Sequence, residues 1–160
     1  KGISVKFDNR DTHKPGWKFA EYELKGVPIR LAIGMRDLDN GTIEIARRDT
    51  LEKETFPIAN VEDKVDSLLT EIQKNLFNRA VDFRKANTHI ANSYEEFKTL
   101  INKGGFVYAH WDGTSKTEDT IKKDTKATIR CIPRDTKNTE GNCVYSGDKS
   151  ERMVLFAKAY

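Results

Sequence analysis

The chain is poor in the residues that staple or anchor small proteins. Its 160 residues include two cysteines, two methionines and four prolines. Two thiols, Cys131 and Cys143, cannot make a disulfide framework, and free thiols fit a cytoplasmic setting. No apolar run approaches the roughly 20 residues that a membrane-spanning helix needs. The opening Lys1-Gly2-Ile3-Ser4-Val5-Lys6 has neither an initiator methionine nor a signal-peptide pattern. It reads as the interior of a domain, so the chain is expected to be a fragment of a longer protein. Excess charge is also scarce: the net value is only +3 although 33% of residues are charged. That excludes a protein that coats nucleic acid by bulk charge and leaves recognition by a few placed groups.

What is present is alternation and helical periodicity, enough for one or two small domains. Ile3 to Phe7 alternates apolar and polar and predicts a strand. Asp8 to Gly16 reads as a polar turn. Trp17 to Lys25 predicts a short helix whose apolar face carries Trp17, Ala20 and Leu24. Lys18, Glu21 and Lys25 share its solvated face, and Glu23 falls on the flank of the stripe. Pro28 opens a strand that turns Ile29, Leu31 and Ile33 to one side and Arg30 and Ala32 to the other. Met35 to Gly41 reads as a loop with an Asn-Gly turn. Thr42 to Arg48 predicts a strand with Ile43 and Ile45 inward, and Lys53 to Ile58 looks extended. Strand, helix, strand at the start implies a parallel pair, and a short turn implies an antiparallel one, so the fold class is α/β with a mixed sheet.

A long helix is predicted over Val61 to Ala86, with Val61, Val65, Leu68, Ile72, Leu76 and Ala80 on one stripe and Asn60 as a cap. Ser93 to Glu96 and Ser115 to Glu118 have the form of capping boxes. The first opens a helix that stops at Gly104-Gly105, and the second opens one that runs to about Asp124. Phe106 to Trp111, Ala127 to Pro133 and Met153 to Tyr160 predict strands, and Arg134 to Ser150 a polar loop. The domain boundary is expected in the long helix, giving 1–70 and 71–160.

Pro15 to Asp37 carries the chemistry. Glu23, Arg30, Arg36 and Asp37 lie close together there, on a turn, a helix, a strand and a loop. Carboxylates and guanidinium forks can read the edges of guanine bases, so the layout points to RNA. A charge on a surface helix or strand is usually just solvated. Glu23 stands apart because it sits off the solvated face.

Four blocks then match a known family: DNRDTHKPGWKFAEYELKGVPIRLAIGMRDL, RRDTLEKETFP, TKATIRCIP and the terminal FAKAY. Over its whole length the chain resembles the C-terminal portion of prolyl-tRNA synthetases of the archaeal and eukaryote-like type. The resemblance implies an anticodon-binding domain of class II synthetases, cut within its N-terminal part, followed by a smaller α/β domain that often carries zinc. It implies an upstream catalytic domain that uses ATP and Mg2+, a homodimeric parent, and the anticodon stem-loop of tRNA(Pro) as partner. Proline anticodons end in two guanines, and a carboxylate accepts guanine N1–H and the exocyclic amine together. By position in the family motif the anticodon-reading residues carry over to Glu23, Arg30, Arg36, Asp37 and Lys53. The acids are assigned to guanine N–H donors. Arg30 is assigned to a base plane or acceptor edge, and Arg36 and Lys53 to O6, N7 or phosphate. Terminal Tyr160 is implied as a contact to the catalytic domain, beside the plainer reading of a packed strand residue.

Zinc is where the chain departs from the family. Metal-bearing relatives supply two cysteine pairs. Here Trp111 and Thr117 (or Lys116) stand at the first, and Cys143-Val144-Tyr145-Ser146 at the second. One thiolate cannot make a tetrahedral site. No zinc is expected, with core packing, by Trp111 among others, in its place. His110 should point to the sheet face opposite Trp111. Cys131 alternates with Ala127 and Ile129 and is expected to be a small buried hydrophobe. Two other classes were weighed. A thiol hydrolase would use Cys131 or Cys143 with His110 as base, but no orienting acid or nucleophile elbow supports it. A free-standing RNA-binding or regulatory module derived from a synthetase would keep the RNA-reading residues.

Overall fold

The computed structural model describes residues 2–134 and 140–159. The chain divides into two compact units, Lys1–Arg79 and Ala80–Tyr160. The division falls inside the long helix, later than the 70/71 position read from the sequence.

The first unit contains α1 (Pro15–Leu24), β1 (Ile29–Ala32), α2 (Met35–Asn40), β2 (Thr42–Arg47) and β3 (Lys53–Pro57). A single 3-10 turn, Ile58–Asn60, leads into α3 (Val61–Ala86). The strands pair in the order β1-β2-β3, antiparallel throughout. Alternation gives this sheet two unlike faces. Ile43 and Ile45 are buried on one face with Leu68 of α3, and Ile29, Phe56, Ile58 and Val61 close round them. Of the α3 stripe only Leu68 and Ile72 are buried, and Leu76 is exposed. The β2–β3 turn is fastened to α3 by charge. Asp49 accepts from Arg47 and, at 2.6 Å, from Asn75, and Arg47 also reaches Glu71 at 3.2 Å.

Three local expectations need correction. Ile3 to Phe7 is not a strand, and Val5 and Phe7 are exposed. Alternation supplies the capacity to pair, but no described strand lies beside this segment, so the expected parallel pair is absent from the first unit. Ion pairs fasten the residues that follow it to α1. Arg10 bonds both Asp8 and Glu21 at 2.6 Å, and its guanidinium stands 5.5 Å from the Trp17 ring, on which His13 also packs. Glu21 is therefore a staple rather than a solvated group. The apolar face of α1 is also misassigned: Trp17 and Leu24 are exposed, whereas Phe19 and Tyr22 are half-buried. Finally, Met35 to Asn40 is a helix. Asp37 Oδ2 accepts from the Gly34 N–H at 2.8 Å, and Gly41 ends the helix at φ 64°, a conformation that glycine adopts without penalty.

The second unit contains β4 (Thr88–Ile90), α4 (Tyr94–Lys103), β5 (Phe106–His110), α5 (Ser115–Thr125) and β6 (Ala127–Cys131). The short strands β7 (Gly141–Asn142) and β8 (Lys149–Ser150) follow, then β9 (Met153–Lys158). The main sheet runs β4-β5-β9-β6, with β4 and β5 parallel and the other pairs antiparallel. Phe97 and Ile101 of α4 and Ile121 of α5 pack on Val107, Ala109, Val154 and Phe156. The Phe97 and Phe156 rings meet edge to face at 5.0 Å. Ser93 caps α4 as expected, but the cap of α5 is Thr114, one residue before the expected Ser115. The stretch read as a loop contains the β7–β8 hairpin, and β4 was not foreseen. Cys131 is exposed, not buried. The register of β6 shifts between Ile129 and Cys131, and this bulge turns the alternation over.

Gly105 sets how closely β5 can start beside Asn87. Its φ is +92°, and an added Cβ would collide with the Asn87 carbonyl oxygen. Gly105→Ala is expected to destabilise the second unit by about 2 kcal/mol or more. Urea unfolding followed through Trp111 in a Trp17→Phe background should show a lower midpoint with an unchanged slope.

Candidate nucleic-acid interface

All five residues assigned to base reading lie in the first unit. Glu23 is in the last turn of α1, and its carboxylate is exposed with no partner among the described residues. Arg30 and Lys53 are on the sheet. Arg30 faces Ala46 across β1–β2, and Ala46 faces Lys53 across β2–β3. Directly opposed residues share a face, so Arg30, Ala46 and Lys53 form one row. Glu44 lies one row away on that face, opposite Ala32 and Thr55. This is the face that Ile43 and Ile45 turn away from.

The sheet has two ends, and the five residues divide between them. Glu23 and Arg30 line one shallow depression of about 20 Å³, together with Phe19, Tyr22, Val27 and Ala46. Arg48 closes the same end, donating from Nε to the Glu23 carbonyl at 2.8 Å. Lys53 starts β3 in the Arg30 row. Arg36 and Asp37 are on α2, between the far ends of β1 and β2. A strand of four residues separates the ends by about 10–13 Å. Arg36 is exposed and unpaired among the described residues, whereas Asp37 already spends one oxygen on Gly34. The chain thus presents Glu23 and Arg30 at one depression, Lys53 two strands away in the Arg30 row, and Arg36 and Asp37 together on α2.

Arg30 is the group whose surroundings sequence reading missed. Its guanidinium stacks on Phe19 at 3.5 Å from the ring centre. Nη1 donates to Glu44 Oε1 at 3.4 Å, and Nε is buried without a partner. A buried unmet donor costs on the order of 1–3 kcal/mol. The signal available beforehand was weak: Glu44 alternates with Ile43 and Ile45, which places it on the Arg30 face, but nothing marked Phe19 as its platform.

Thr117 and Ser146 stand at two of the positions where the resemblance puts cysteines, and both donate to Asp112 Oδ2, at 2.6 and 2.8 Å. Asp112 Oδ1 accepts from the Thr114 N–H and hydroxyl at 2.9 Å. Cys143 is buried, and Trp111 packs against the core as expected while donating from Nε1 to the Thr114 carbonyl at 3.2 Å. His110 is engaged with Ser150 at 3.1 Å. Hydroxyls and one carboxylate bonded to each other do not suit zinc. Among the described residues no cluster of histidine, cysteine or acid could hold a metal ion. Tyr160 lies outside the described residues.

Residues 1–68 match the family described as anticodon binding domain, and residues 94–160 match prolyl-tRNA synthetase, C-terminal. Similar proteins include the proline–tRNA ligases of Porphyromonas gingivalis, 62% identical over the whole chain, and Parabacteroides distasonis, 59% identical over 99% of it. That of Cytophaga hutchinsonii is 55% identical over the whole chain. The chain spans about a third of the length of these curated relatives, from 32% to 33%. These relatives are bacterial, and the archaeal and eukaryote-like part of the resemblance is not borne out by them. Fold and matches define an anticodon-binding module joined to a synthetase C-terminal module. Over its whole length the chain is similar to about a third of these proline–tRNA ligases. No helix among the described residues is long and apolar enough to cross a membrane.

Two carboxylates in these networks titrate low. The Arg47 side chain holds Asp49 down to about 2 against the upward push of burial, with help from Asn75. Burial pushes Asp112 up, but the bonds from Thr117, Thr114 and Ser146 outweigh it and hold it at about 2. A depressed carboxyl contributes stability above its ordinary value of 3.8, and that contribution disappears as pH falls through about 2. Acid unfolding is expected to steepen between about pH 4 and 2. Asp112→Asn should flatten the profile reported by Trp111 but not that reported by Trp17.

Proposed function

We propose that this chain binds the anticodon stem-loop of tRNA(Pro) as part of a proline–tRNA ligase. The parent would activate proline with ATP and Mg2+ on an upstream catalytic domain, work as a homodimer in the cytoplasm, and use this portion to choose its tRNA. The observation that carries the reading is that Glu23, whose carboxylate has no partner among the described residues, and Arg30 line one depression. A carboxylate meets guanine N1–H and its amine, and a guanidinium meets O6 and N7, so together they favour guanine over adenine, which reverses the donor at position 6. Lys53 in the same row is placed for phosphate or an acceptor edge. Arg36 and Asp37, about a strand's length away, fit a neighbouring nucleotide better than the same base. We also propose that the second unit works without zinc, since the hydroxyls on Asp112 occupy the ground that ligands would need.

The test is a fluorescence titration of the chain with anticodon stem-loops that carry the paired guanines or adenines in their place. Guanine RNA should bind more tightly, and affinity should fall as salt rises. In the complete synthetase, Glu23→Gln should raise KM for tRNA by roughly tenfold, corresponding to about 1–3 kcal/mol of lost discrimination, and leave proline-dependent ATP–pyrophosphate exchange unchanged. Collapse of exchange with tRNA binding intact would overturn the assignment.

A further inference from the structure

The acids and bases of Lys1–Arg79 cancel, so the net charge of +3 belongs to the second unit. It gathers where α5 runs into β6. Lys122 and Lys123 are in the last turn of α5, Lys126 is its C-cap, and Arg130 lies in β6. Lys158 of β9 stands directly opposite Ala127, the residue after Lys126. All five cations are exposed, and none has an ion-pair or side-chain hydrogen-bond partner among the described residues. Glu118 and Asp119 precede Lys122 and Lys123 at the spacing of a helix salt bridge, yet neither pair forms. Asp124, the one acid between Lys122 and Arg130, is engaged by the Tyr94 hydroxyl at 2.6 Å. Two features of the backbone turn charge outward. Lys126 has φ 61°, the left-handed conformation that glycine usually fills at a helix end. The register of β6 shifts between Ile129 and Cys131, so Arg130 has no residue opposite it and is pushed out of the ladder.

We infer that Lys122, Lys123, Lys126, Arg130 and Lys158 form a second RNA-binding surface, which takes the phosphate backbone without regard to base. The inference rests on the reading that this chain binds tRNA, and not on how the anticodon is read. Four of the five are lysines, which meet phosphate as point charges and lack the fork that reads a base edge. No residue from Lys122 to Arg130 is aromatic, so this stretch offers no platform for stacking. Ala127 and Arg130 are about 10 Å apart along the strand, so the cations reach over more than one phosphate. Two plainer roles account for parts of the set. Lysines in the last turn of a helix suit its dipole, which leaves Arg130 and Lys158 without a reason. β6 is an edge strand, and cations on an edge keep chains from pairing with each other, which leaves the helix lysines without one. Neither role calls for a lysine at a backbone position that glycine would fill at lower cost.

The test titrates this chain, at several salt concentrations, with the anticodon stem-loop, its adenine counterpart and a hairpin of the same stem with no guanine in its loop. A variant with all five residues changed to Gln should lose on the order of tenfold or more in affinity, by the same factor for each RNA. The slope of log affinity against log salt should become shallower by about 3 to 4, and the preference for guanine should be kept. Lys126→Gly should bind all three RNAs severalfold more weakly while its urea midpoint stays level or rises, because glycine is at ease in the left-handed conformation. A role in the fold alone predicts the reverse, a lower midpoint with unchanged binding. Unchanged affinity and slope in the fivefold variant would overturn the inference. So would self-association of that variant in sedimentation with RNA binding intact, which is the edge-guarding role. Loss of binding to phosphatidylserine vesicles but not to RNA would also overturn it, in favour of a membrane surface. Should the fivefold variant fail to fold, Lys126→Gly and Arg130→Gln carry the same test singly. If guanine and adenine loops bind alike while the fivefold loss persists, the anticodon reading falls and this surface stands.

Discussion

The two-residue alternation of β2 is the constraint on which the first unit depends. Ile43 and Ile45 bury themselves against Leu68 and so fix which way the strand faces. Glu44 and Ala46 must then lie on the other side, in line with Arg30 and Lys53 of the flanking strands. A slip of one residue would send the isoleucines to solvent and the charges into the core, so the register is strongly enforced. The hydrophobic side of the sheet thereby positions the polar side. Residues that touch no ligand decide where the reading groups stand.

Periodic elements were legible in the sequence. The β2 alternation, the span of α3 and the Ser93 cap all follow from local rules, and the structure carries them at or within a residue of the expected places. The errors came where the partner, not the pattern, decides. Ile3 to Phe7 has the pattern of a strand and no described neighbour to pair with. Met35 to Asn40 lacks a long apolar period, yet one Asp37–Gly34 bond and a left-handed Gly41 suffice for a short helix. Cys131 followed the alternation rule until a bulge reversed it. The site shows the same division. Family position named Glu23, Arg30, Arg36, Asp37 and Lys53, whereas the Phe19 platform, the Glu44 contact and the separation of Asp37 from Glu23 required three-dimensional placement.

The second unit shows how a polar hub can do a structural job. Asp112 receives bonds from the first turn of α5 and from Ser146 in the hairpin region, joining segments far apart in sequence. Such a hub is directional, as a metal site is, and it answers to protons. Its members are all hydroxyls, a backbone amide and one carboxylate, and every contact lies within normal hydrogen-bond length. Trp111 adds packing beside it, so specificity of geometry and burial of apolar surface are supplied by adjacent residues.

The short helix α2 owes its beginning to a carboxylate that also belongs to the proposed RNA-reading set. Asp37 Oδ2 is bound to the Gly34 amide, which leaves its second oxygen for anything outside. In the proposed reading, folding and recognition draw on two atoms of one side chain and are thermodynamically linked. A nucleotide that engaged both oxygens would cost the helix that carries Arg36 its capping bond, about 1 kcal/mol. One that accepts a single oxygen would leave that helix intact, which makes the capping bond itself a filter on how a base can approach.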